Sequence, residues 1–136
     1  MNTKIEFGFN KMNRIDDLAD MASVLFPNNK RHQKAFLAIF IELKYTDNQF
    51  LSDLKWIGEK YKVSKRVFEI VRAKMRRLGL IDHVSRFNAK YGYREGWVFS
   101  SRFKRSVLKM EKHLVTFIKN ACPKQETKDR VLFSYF

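Results

Sequence analysis

The densest helical pattern in the chain runs from Lys62 to Ile81, KVSKRVFEIVRAKMRRLGLI, where apolar residues recur at steps of three and four. At about 100° per residue, Val67, Val71, Met75 and Leu78 fall on one stripe, with Phe68 at its edge. Lys65, Arg66, Glu69, Arg72, Ala73, Arg76 and Arg77 fall on the opposite side. Ser64 can accept from the first turn and is the expected N-cap, and Gly79 is the expected residue after the last turn.

The same spacing predicts three helices before this one. Arg14–Phe26 puts Ile15, Leu18, Ala22 and Leu25 on one face, with Asp16 and Asp17 in a first turn where carboxylates suit the helix dipole, and Pro27-Asn28-Asn29 ends it. Lys30–Tyr45 carries Phe36, Leu37, Ile39, Phe40 and Leu43 on a broad stripe and is the expected centre of the core. After the polar break at 46–49, Ser52 is the expected N-cap of a short helix that buries Leu54, Ile57 and Tyr61.

Period-two segments follow the cationic helix. Leu80–Phe87 and the WVFSS segment read as two strands joined by the polar, glycine-containing NAKYGYREG, a β-hairpin with a long basic and aromatic tip. Arg102–Ala121 then returns to helical spacing, with Phe103, Val107, Met110, Leu114, Ile118 and Ala121 on one stripe, and Pro123 is expected to end it. Ile5, Phe7 and Phe9 alternate as in a short strand or an extended arm, and the apolar tail VLFSYF is expected to dock on the body or on a partner. The fold class is therefore α+β, mainly α with a small β-hairpin, with Phe36, Phe40, Trp56, Phe68, Trp97, Phe99 and Phe103 in the core. Trp56 lies off its helix's apolar stripe and could instead mark an interface.

Composition bounds this picture. At 136 residues and 45% hydrophobic, the chain can bury one core without staples. One cysteine, Cys122, can form no internal disulfide and points to a reducing compartment. No apolar run approaches the roughly 18 residues of a membrane span, because Glu42 and Lys44 interrupt AFLAIFI, and MNTKIEFGFN does not read as a signal peptide. A cytoplasmic, nucleoid-associated location without membrane association is expected.

Charge sharpens the reading. The net charge is +14. Residues 1–59 hold eight cations against eight acids, 60–109 hold fifteen against three, and 110–136 hold five against three. Nearly all the excess therefore lies in one block of the chain, which holds the cationic helix and the hairpin and is how a face for a polyanion is built. Like charges this close weaken a free helix, and a bound anion would compensate.

The order of helix, short helix, turn, cationic helix and hairpin resembles the winged helix-turn-helix domain of MarR-type and ArsR-type transcription regulators. The resemblance rests on LSDLKWIGEKYKVSKRVFEIVRAKMRRLGLI, Leu51 to Ile81, and extends more loosely to Ser101. Ile57-Gly58 stands where the family has an apolar residue followed by a small one, Val63-Ser64 matches the pair opening the recognition helix, and Leu78-Gly79-Leu80-Ile81 matches the family's L-x-x-x-GLI ending except that Leu78 stands directly before the glycine. Lys62 departs from it, standing where a glycine is common, and the hairpin tip is longer. Residues 1–29 and about the last 15 have no counterpart. The resemblance divides the chain into an N-terminal arm and helix (1–29), a winged helix-turn-helix domain (30–101) and a C-terminal helix and tail (102–136).

On that reading Ser64, Lys65, Arg66, Glu69 and Ala73 read base edges in the major groove of double-stranded DNA, since guanine suits Arg or Lys, cytosine suits Glu, and a thymine methyl suits Ala. Lys55, Lys62, Arg72, Arg76 and Arg77 meet the DNA backbone. On the wing, Arg86, Lys90 and Arg94 reach the adjacent backbone or minor groove and Tyr91 and Tyr93 pack on sugars. Val107, Met110, Leu114 and Ile118 are the candidate contacts of a homodimer, although the same stripe could equally pack on Lys30–Tyr45.

The expected function is sequence-specific DNA binding by a transcription regulator. The alternatives are a replication, partition or architectural nucleic-acid module, or a winged helix that binds protein. No enzyme, cofactor, metal or small-molecule ligand is expected. His32, His83 and His113 lack ligand spacing, no phosphate-binding glycine motif occurs, and Gly92 and Gly96 suit the wing turn. A helix N-terminus accounts for Asp16 and Asp17, and a solvated face for Asp20.

Overall fold

Asp17 opens the first long helix as its N-cap: its carboxylate accepts from Asp20 N–H at 2.8 Å, while Asp20 Oδ2 accepts from Asp17 N–H at 3.4 Å and Asp16 N–H at 3.1 Å. This capping box satisfies donors that a helix start leaves open. The helix therefore spans Leu18–Leu25 (α2) rather than beginning at Arg14, and Asp20 closes the cap instead of decorating a solvated face. Ahead of it lie an extended arm and the short α1, Phe9–Asn13. The computed structural model describes residues 3–136, and these form two compact units, 3–102 and 103–136.

In the first unit, α3 (Lys30–Lys44) is capped by Asn29 and buries Ala35, Phe36, Ala38, Ile39 and Leu43, as its broad stripe requires. It packs against α2 and against α5 (Lys65–Leu78). The short α4 (Lys55–Lys60) buries Leu54 and Ile57 beside it. Ser52 is not its cap; the Asp53 carboxylate accepts from Lys55 N–H and the Asp53 carbonyl from the Trp56 indole. That bond holds Trp56 outward, 39% exposed, so it is not a core aromatic. Tyr61 is half-buried, and its hydroxyl donates to Glu42 at 2.6 Å.

The hairpin is part of a three-stranded antiparallel sheet in the order β1-β3-β2, formed by β1 (Phe50–Leu51), β2 (Ile81–Val84) and β3 (Gly96–Phe99). Two residues are too few to show alternation, so β1 left no legible period. It pairs Phe50 with Val98 and Leu51 with Trp97. Across the other edge of β3, Ile81 faces Phe99 and His83 faces Trp97. Gly96 is required by packing more than by a turn: a Cβ there would stand 2.5 Å from the Phe50 ring. Both strands are shorter than their apolar runs, and Phe87 is exposed in the connection.

In the second unit, α6 (Arg102–Lys119, beginning on the last residue of the first) is followed by α7 (Pro123–Val131) and a 3₁₀ turn at Leu132–Tyr135. Pro123 starts a helix instead of merely ending one, since its fixed φ and missing N–H suit the first helical turn. In the tail, Phe133 is 78% exposed and Phe136 fully exposed. Among the described residues no helix is long and apolar enough to cross a membrane.

Candidate functional site

Three local devices fix α5. Before it, Val63 N–H donates to Gly58 O at 2.8 Å and Lys62 N–H to Glu59 O at 3.3 Å, the paired bonds of a left-handed helix ending, with Lys62 at φ 56°. The turn typical of glycine is thus kept with a lysine in its place. Ser64 Oγ accepts from Val67 N–H at 3.2 Å, as a cap should. After the helix, Gly79 at φ 86° lets Leu80 N–H reach Met75 O at 2.9 Å and Gly79 N–H reach Arg76 O at 3.1 Å.

A fourth device was not foreseen. Lys74 lies on the apolar stripe and is only 5% exposed, its ammonium donating to Leu25 O and Lys4 O and standing 4.5 Å from the centre of the Phe26 ring. Burial lowers its pKa. It ties α5 to the open carbonyl end of α2 and to the N-terminal arm. Its helical angle, close to that of Val67 and Val71, was the available signal.

These constraints turn the other side of α5 outward. Ser64, Lys65, Arg66, Glu69, Arg76 and Arg77 are exposed, and Arg72 and Ala73 are half-buried. Ile70, 39% exposed among them, was absent from the sequence reading, although its angle places it off the buried stripe. Two grooves flank the helix start. Lys55, Lys65, Glu69 and Arg72 line one of about 280 Å³. Lys62, Ser64 and Val67 line the other, of about 330 Å³, with Arg31 and Lys34 of α3, two cations that sequence separation had hidden.

The C-terminal half of α5 faces a larger concavity of about 750 Å³, shared with the sheet. The Arg72 guanidinium lies 5.4 Å and the Arg76 guanidinium 5.8 Å from the Trp97 ring centroid, and Arg77 stands at the same wall. Arg102 donates through Nη2 to Arg76 O at 3.0 Å and through Nε to Asp82 Oδ1 at 3.0 Å. Burial opposes ionisation of Asp82, but hydrogen bonds from Arg102 and Ser100 and the Arg102 and Arg76 charges outweigh it and lower its pKa. His83 sits edge-on to Trp97 and reaches Glu95 at 3.2 Å.

The wing residues divide into two groups. Tyr91 is half-buried on Phe50, ring centroids 6.1 Å apart, and Arg94 lies 4.3 Å over the same ring while donating to Tyr91 O. These two hold the loop against the sheet face formed by Phe50, Val84 and Val98. Arg86, Lys90 and Tyr93 are exposed, Tyr93 at 66%. On α6, Val107, Met110, Leu114 and Ile118 are all exposed, as are Leu108 and Phe117.

Among the described residues no group of three or more His, Cys, Asp or Glu is placed to hold a metal ion. The geometry is that of a convex cationic helix between concave basic flanks. No family model, curated protein or solved structure matches this chain.

Proposed function

We propose that this chain is a winged helix protein that binds double-stranded DNA, with α5 in the major groove and the β2–β3 loop over the neighbouring backbone, acting as a transcription regulator. The observation that carries the reading is the outward arc of α5, where Lys65, Arg66, Arg72, Arg76 and Arg77 stand with a single acid, Glu69. Helix, short helix, tight turn, cationic helix and hairpin occur in the order that lets such a helix enter a groove. Lys65, Arg66, Glu69, Ala73 and Ile70 are the base readers in this assignment. Lys55, Lys62, Arg72, Arg76 and Arg77 hold phosphates, joined by Arg31 and Lys34. Arg86, Lys90 and Tyr93 are the wing's contacts, and Tyr91 and Arg94 keep the wing folded. Two copies joined through Val107, Met110, Leu114 and Ile118 would read two half-sites.

The test is a fluorescence-anisotropy titration against random duplex DNA, single-stranded DNA and duplex RNA over a salt series, with sequencing of the duplexes retained at high salt. Enrichment of an inverted repeat bound about 10³-fold tighter than bulk DNA is the expected result. Tight duplex binding without a motif would instead assign a replication, partition or architectural role. Absence of nucleic-acid binding at moderate salt would overturn the reading in favour of an acidic protein partner.

A further inference from the structure

The concavity between the end of α5 and the sheet has a chemistry different from the rest of the cationic face. A duplex backbone needs only positive charge along its path. Here a tryptophan forms part of the wall, flanked by an imidazole, with the Arg72 and Arg76 guanidiniums against its ring and Arg77 lining the same concavity. Arg102 and His83 are already paired with Asp82 and Glu95. Arg72, Arg76 and Arg77 form no ion pair among the described residues. The site therefore combines three uncommitted phosphate donors with an aromatic surface to which two of them are loosely applied.

We propose that this concavity binds one nucleotide unit whose base is not in a duplex stack, the phosphate held by Arg76 and Arg77 and the base laid against Trp97. A guanidinium resting on an indole gains less than one hydrogen-bonded to a phosphate. An arriving phosphate therefore draws Arg76, and with it Arg72, off the Trp97 ring and uncovers it for a base. Stacking is indifferent to base identity, since every base has a π-face. His83, opposite Trp97 on the strand pair, borders the same surface. The volume of about 750 Å³ is ample for one nucleotide.

This inference deepens the nucleic-acid reading and rests on it for one of its two sources of ligand. The nucleotide can belong to a bound strand, as an unpaired base at a duplex end or junction, or it can be free. Trp56→Phe leaves Trp97 as the sole indole, so its emission reports this wall alone. The variant is titrated with inorganic pyrophosphate, with ATP, with a blunt duplex and with the same duplex carrying a short 3′ or 5′ unpaired extension. Quenching of Trp97 by ATP exceeding that by pyrophosphate, and affinity for an extended duplex at least fivefold above the blunt one, are expected. Trp97→Leu should abolish that preference, with the blunt duplex as internal reference.

A preference for the extended duplex without quenching by ATP assigns the strand as the source, and quenching by ATP without that preference assigns the free nucleotide. Equal affinity for extended and blunt duplexes together with no quenching by ATP overturns the proposal, whether or not duplex DNA binds. If Trp97→Leu melts early, Arg76→Gln with Arg77→Gln in the Trp56→Phe background replaces it. Loss of the extension preference or of the ATP quenching then supports the site, and retention of both overturns it.

Discussion

Lys62 shows how one residue can be held between fold and function. A side chain at φ 56° is strained by roughly 1 kcal/mol or more relative to glycine, and the structure holds it there because both backbone bonds of the turn depend on it. Lys62→Gly should therefore raise unfolding free energy by about 0.5–1 kcal/mol in urea titration. The same change should lower the slope of log affinity against log salt by about one if the ammonium meets a phosphate. A gain in stability with an unchanged slope would remove Lys62 from the backbone contacts. Glu42 offers a test by pH. Hydrogen bonds from Lys60 (2.7 Å) and the Tyr61 hydroxyl lower its pKa from the ordinary 4.5. A carboxylate with a depressed folded pKa contributes stability that is fully present above its unfolded value and lost as pH falls through the folded one. Glu42→Gln should thus be less stable than the parent at pH 7, and the difference between their denaturation midpoints should shrink below about pH 4.5. A gap of constant size down to pH 3 would contradict the bond.

At the scale of elements, the proposed function gives α5 two separable jobs, and substitutions on its outward arc should sort accordingly. Lys65→Ala or Arg66→Ala should cost about 1–3 kcal/mol on the best duplex and relax preference at one base position. Arg77→Ala, which breaks no ion pair among the described residues, should weaken blunt duplexes of all sequences alike and reduce the salt slope by about one. Equal losses for both classes on specific and random DNA would contradict the division of roles. Lys74→Met, on the inward face, belongs to the fold: it strips Leu25 O and Lys4 O of their donor and should cost about 1–3 kcal/mol. How far these elements were legible follows from how local their causes are. The caps at Ser64 and Gly79 and the stripe of α5 depend on neighbours within one turn, and the residues state them. The Asp17–Asp20 box was equally local, but its pattern was read as dipole complementarity alone. β1 was missed because its partner, β3, lies more than forty residues away. Arg102, Asp82 and Trp97, the neighbours of α5, and Arg31 and Lys34, the neighbours of Lys62, lie on other elements, and helical periodicity relates positions within one helix only.

At the scale of the whole molecule, α6 is the element whose sequence is least explained by its own chain. Phe103, Val107, Met110, Leu114 and Phe117 recur at alternating steps of four and three, the spacing of a two-helix seam. Its 18 residues span about 27 Å at 1.5 Å per residue. Exposing such a row to water costs roughly 25 cal/mol for each Å² of apolar surface, so a second copy laid along it gains what the isolated helix forgoes. Two copies so joined would carry two α5 helices, and half-sites about 34 Å apart would be read together. Leu114→Glu puts a carboxylate in the middle of the seam, where burying it unpaired is prohibitive. The expected outcome is a fall in light-scattering mass from near twice 16.3 kDa to the single chain value. Affinity for a duplex with two half-sites should drop by a factor of ten or more, while binding to one half-site stays within twofold, because only the linkage between sites is lost. A mass unchanged by Leu114→Glu would move the dimer contact off α6. A parent already monomeric with tight binding to a single site would mean that one copy of α5 and its flanking cations suffices for recognition.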